Sequence, residues 1–203
     1  MRPITFTRSQ PNASATSVAA KQLLNTTSVT LANGTLTVPA YPTITADSGA
    51  TGKVFAIVGT SPAGWDQSSN ITFAAASGTV TASVSFATIS SITASAATSA
   101  TISVGNAQSG YTAWIPLDIY TPNQVTTISG TTAGTVSYSV EYTNEDPFDT
   151  TISQQAVAHP VATLTNASGN ITAFTTTLMR AIRLVINSGS GSVRFTAVQQ
   201  STK

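Results

Sequence analysis

Apolar and polar residues alternate along most of this chain, in short runs separated by Gly, Ser and Asn. The clearest run is Val136, Ser137, Tyr138, Ser139, Val140, Glu141, Tyr142. Its apolar residues share one face at a period of two, which a half-buried strand requires and a helix cannot use. The same alternation recurs over residues 79–87, with Val80, Ala82, Val84 and Phe86 on one side. Residues 53–60 are almost continuously apolar and read as a strand buried on both faces. Residues 28–31 and 35–38 flank Asn33-Gly34, a hairpin signal. Further strands are expected over residues 70–74, 88–94, 100–104, 112–120, 125–128 and 135–142, the last two split by a glycine-rich turn at 130–134. A final hairpin is expected from residues 180–186 and 192–199 around a turn at 187–191.

Many short strands with tight turns define an all-β chain, built as β-sandwich or jelly-roll-like domains. Residues 105–110 are small and polar without periodicity, and read as a linker. Two β domains follow, over residues 28–108 and 109–203, preceded by an N-terminal extended arm over residues 1–27. Within that arm residues 17–24 fit one or two helical turns capped by Ser17, and equally an extended segment lying on a neighbour.

Composition narrows the function more than the fold. Charged residues are 7% of the 203, against roughly 25% in typical soluble domains. Ser and Thr fill the gap, at roughly a third of the chain. A Thr-rich, charge-poor surface repels copies of itself weakly and suits close assembly. The net charge of +1 gives no electrostatic case for nucleic acid or an anionic membrane. There is no cysteine, so disulfides and thiolate zinc sites are excluded. No apolar run reaches transmembrane length and residues 1–8 lack the apolar core of a secretory signal, so assembly in a cytosol is expected.

Candidate chemistry is sparse. His159 is the single histidine. A triad of Ser153, His159 and Asp149 can be written down, but serine is abundant and no Gly-x-Ser-x-Gly elbow is present, so a surface or packing role is preferred. Glu141, Glu145, Asp146 and Asp149 concentrate the acid. Their spacing does not match an EF-hand, and pairing with Arg180 or Arg183 is preferred to calcium binding. Tyr138 and Tyr142 alternate with polar residues and belong to a core. Trp65, in an Ala-Gly-Trp-Asp loop, is the better exposed contact. Phe6, Trp65, Arg180 and Arg183 are the candidate subunit contacts; no catalytic, cofactor-binding or metal-binding residue is expected, and no cofactor.

Several strings resemble small virion proteins of tailed bacteriophages. They are Trp114-Ile115-Pro116-Leu117-Asp118, then Gly134-Thr135-Val136-Ser137-Tyr138-Ser139-Val140-Glu141-Tyr142-Thr143, then Glu145-Asp146-Pro147-Phe148, and the closing Met179-Arg180-Ala181-Ile182-Arg183-Leu184-Val185-Ile186. The glutamate at Glu145 departs from an Asp-Asp-Pro-Phe pattern. The resemblance implies a virion protein without enzymatic activity, assembled in the host bacterial cytoplasm. Its expected partners are the major capsid protein or other virion proteins, in a homo-oligomer, with no nucleic acid or membrane. The first expectation is a capsid decoration or cement protein. A head–tail or tail component and a glycan-binding fibre module are the alternatives.

Overall fold

The computed structural model describes residues 3–120, 124–149 and 156–201. Among them the one helical element is a 3-10 turn at Ala162–Leu164, and the rest of the regular structure is strand. In chain order the strands are β1 (Ile4–Ser9), β2 (Ser14–Leu23), β3 (Thr35–Ala40), β4 (Pro42–Ala46), β5 (Val54–Thr60), β6 (Asp66–Thr72), β7 (Gly78–Thr81), β8 (Phe86–Ala94), β9 (Thr101–Asn106), β10 (Gly110–Tyr111), β11 (Ile115–Pro116), β12 (Gln124–Thr143), β13 (His159–Pro160), β14 (Ala167–Ser168), β15 (Ile171–Thr175) and β16 (Ala181–Ser201). The protein is all-β, with antiparallel sheets. It divides into two compact units: Pro11–Gly110, and Met1–Gln10 together with Tyr111–Lys203.

The Pro11–Gly110 unit holds two four-stranded sheets, ordered β2-β9-β4-β7 and β3-β8-β5-β6. Alternation along each strand sends one set of side chains inward. Val18, Ile44, Ile102 and Val104 of the first sheet and Phe55, Ile57, Ile71, Phe86 and Ile92 of the second form one buried cluster. Phe55 and Phe73 meet edge to face, ring centroids 5.6 Å apart.

The other unit is one eight-stranded sheet, ordered β1-β16-β12-β13, with β10 and β11 pairing β16 and with β14 and β15 pairing β12. Its spine is the long antiparallel pair β12–β16, in register from Gln124↔Ser201 to Thr143↔Ala181. The spine is folded. A Cβ built on Gly130 would lie 2.2 Å from the Tyr138 hydroxyl, so the Tyr138 ring covers Gly130. Eight residues of straight strand span about 26 Å, and only a bend lets these two positions touch. Gly134 sits midway at φ +87°, opposite Gly191 at φ +132°. Asn187 is the extra residue of a bulge between the pairs Ser137↔Ser188 and Tyr138↔Ile186, and bulges bend strands. Ile128, Tyr138, Val140, Ile182, Leu184, Ile186 and Phe195 fill the resulting core.

Several expectations are corrected. In place of the expected arm, among the described residues before residue 28, β1 pairs β16 from Ile4↔Ala197 to Ser9↔Ser192, and β2 pairs β9. Ser17 caps no helix; its hydroxyl donates to Asn106 Oδ1 at 2.7 Å within that sheet. The expected turns at 130–134 and 187–191 are bends inside β12 and β16, because glycine serves a turn and a sharply bent strand alike. Asn33-Gly34 turns the chain without making a hairpin, since β3 pairs β8, and Asn33 N–H donates to Val18 O. β5 is not buried on both faces: Val58 is 43% exposed. Gly105 and Asn106 end β9 and are not a linker.

Candidate interaction surface

Four strands that meet edge to edge, β1, β16, β12 and β15, present an outward face. Register places Thr5 opposite Thr196, Thr196 opposite Ser129, and Ser129 opposite Thr172. One row of hydroxyls therefore crosses all four strands. Adjacent members pair: Thr5 Oγ1 and Thr196 Oγ1 lie 3.4 Å apart, Ser129 Oγ and Thr172 Oγ1 3.0 Å. On one side runs a row with Phe174, Thr127 and Val198; on the other run Thr131, Arg194 and Thr7. The opposite side of β16 is buried, with Val193, Phe195 and Ala197 at 0–2% exposure, while Phe6 on that side of β1 is 40% exposed. Strict alternation is what leaves hydroxyls outside. Phe174 is 73% exposed. Arg194 is exposed and, among the described residues, makes no ion pair.

The other two arginines of the final strand region are engaged within the chain. Arg183 Nε donates to Glu141 Oε2 at 2.7 Å, a pair set up by the register Glu141↔Arg183. Its guanidinium lies 4.0 Å from the Tyr111 ring centroid and 4.5 Å from that of Trp114, a favourable cation–π geometry. Thr112 fixes these aromatics: its N–H donates to Leu184 O at 2.9 Å, and Leu184 N–H donates to Thr112 Oγ1 at 3.1 Å. Arg180 pairs with Asp146. Beside it lies an open cleft of about 400 Å³ lined by Ile119, Asn144, Leu178 and Arg180. Gln199 clamps the preceding segment, its Nε2 donating to Asp118 O at 2.9 Å while Asp118 N–H donates to its Oε1 at 2.8 Å.

The acidic cluster thus supplies ion-pair partners through Glu141 and Asp146. Among the described residues no three His, Asp or Glu side chains gather as metal ligands. His159 is exposed on β13, its ring 5.3 Å from that of Tyr142. Asp149 is exposed as well, and Ser153 lies outside the described residues. Trp65 is 37% exposed in the loop before β6, where its N–H donates to Ser61 Oγ. Phe6 is 40% exposed on β1. Away from these positions, the Thr101 N–H at 2.7 Å from Asp47 Oδ1 holds the Asp47 carboxyl below the usual range, and burial pushes the Tyr138 phenol up. The hydroxyl row escaped sequence reading because its members come from four strands spread over the whole chain. Alternation is legible in parts of β12 and β16, whereas β1 and β15 are not among the expected strands, and the register between strands leaves no trace in the sequence. A comparison with protein-family models gives no match, and neither does one with curated protein sequences.

Proposed function

We propose that the chain is a non-enzymatic structural protein of a bacteriophage particle, a decoration or cement protein placed in many copies on the capsid surface. The observation that carries it is the outward sheet face, rich in hydroxyls and nearly free of charge, with the exposed apolar side chain of Phe174 on it. Such a surface suits assembly by shape and hydrogen bonding. The strings that resemble phage virion proteins lie on or beside the spine: Val136 to Tyr142 on β12 and Ala181 to Ile186 on β16. The two units are read as sandwich or jelly-roll-like domains, rigid spacers well suited to a symmetric lattice.

A cement protein binds the assembled shell in preference to its dissociated parts and stabilises it by mass action. Each contact is small, and repetition supplies the total. The test compares the thermal rupture temperature of particles with and without the protein. A rise of several degrees that survives high salt is expected, since few ion pairs are available to screen. Equal rupture temperatures would remove the cement role and leave a neck, tail or fibre position.

A further inference from the structure

We propose, resting on the virion reading above, that the outward face of β1, β16, β12 and β15 is where the protein docks onto a carboxylate-bearing protein of the shell, with Arg194 as the charged anchor. Three observations carry this. First, the hydroxyls of Thr5, Thr196, Ser129 and Thr172 stand in one row. At the usual strand spacing of about 4.8 Å the row spans about 14 Å, a low-relief strip against which another backbone surface can pack. Second, the face as a whole carries one charge and no acid. Arg180 and Arg183 have carboxylates on their own chain, whereas Arg194 has none among the described residues. Covering a guanidinium without an acceptor is costly, so a protein that buries this face is expected to bring acceptors to it, and a carboxylate, which also neutralises the charge and meets the planar fork, fits best. Third, Phe174 stands beside the row at 73% exposure, an apolar anchor of the kind that dominates interface cores.

A protein surface fits this face better than a glycan. Sugar hydroxyls are held by directed acceptors such as carboxylates and side-chain amides, and the row offers small hydroxyls already paired with one another. The strip is well below the ~800 Å² per partner of a standard interface. A single copy therefore binds weakly, and occupancy depends on the repeated lattice.

The test uses the full chain. Arg194→Glu, Arg194→Lys and Thr172→Lys are introduced into the virus that encodes it, and copies per purified particle are counted. Melting of each isolated variant checks the fold; both positions, 194 and 172, are exposed, so unchanged melting is expected. Arg194→Glu and Thr172→Lys lower the copy number at least tenfold, and Arg194→Lys, which keeps the charge and loses the fork, falls between Arg194→Glu and the wild-type chain. Unchanged copy number for Arg194→Glu would overturn the docking face while leaving the virion reading intact. Absence of the wild-type chain from particles would overturn both. Binding of the isolated chain to a glycan array, lost in Thr172→Lys, would assign the face to sugars instead and also overturn the proposal.

Discussion

Tyr138 and Gly130 form the contact on which the shape of the larger sheet depends. The ring is fully buried, its hydroxyl donates to Gly169 O at 3.3 Å, and Gly130 has no room for a methyl group. Tyr138→Ala is expected to cost about 3–5 kcal/mol, the range for a lost buried aromatic. Tyr138→Phe keeps the packing and loses one long hydrogen bond, so about 1 kcal/mol or less is expected. Gly130→Ala forces the ring off its seat and is expected to resemble Tyr138→Ala. Chemical denaturation of the three variants separates these outcomes. Comparable losses for Phe and Ala at position 138 would mean that the hydroxyl, and not the ring, holds the bend.

At the scale of elements, the long pair β12–β16 is the feature that sequence patterning missed most plainly. The alternation of Val136, Tyr138 and Val140 was legible, and these residues are buried as their period requires. Sequence patterning takes the glycine-rich stretch 130–134 as a break between two strands and 187–191 as the turn of a final hairpin. A turn and a bent strand both ask for φ above zero and small side chains, so composition alone does not separate them. What decides is the crossing partner: Gly134 faces Gly191, and a Cβ on Gly189 would lie 2.2 Å from Thr135 O. Those contacts span the chain and leave no local signature. The β1 strand was missed for a different reason. Ile4, Thr5, Phe6, Thr7 alternate, but a six-residue edge strand at a chain end is too short to outweigh irregular neighbours. The crossing gives a direct test. Gly189→Ala and Gly169→Ala both place a side chain at positive φ, +103° and +81°, yet nothing lies within 4 Å of a Cβ at Gly169. Gly169→Ala is expected to cost about 1–2 kcal/mol from backbone strain alone. Gly189→Ala adds a backbone collision and is expected to lower Tm clearly further. Equal shifts would show that the two long strands do not approach closely at their bend.

At the scale of the whole molecule, the chain closes one unit with its own beginning. Residues 11–110 are contiguous and contain every strand of the two four-stranded sheets. They are expected to fold alone, with a single cooperative thermal transition. Residues 111–203 are expected not to do so, because β1 is missing from them. Six paired positions, Ile4↔Ala197 through Ser9↔Ser192, would lose their ladder, at about 0.5–1.5 kcal/mol for each hydrogen bond. Phe195 and Val193, fully buried in the chain, would sit on a bare edge strand, the arrangement that invites aggregation. The strand is short, lies at a terminus and pairs along one side with β16, so it can be supplied from outside. A synthetic peptide of residues 1–10 added to the 111–203 fragment is expected to restore a cooperative transition, with a Tm that rises with peptide concentration as linkage requires. The scrambled peptide provides the control for nonspecific solubilisation. A 111–203 fragment that melts cooperatively without the peptide would show that β1 adds to a finished unit, and that the N-terminal residues are dispensable to its fold after all.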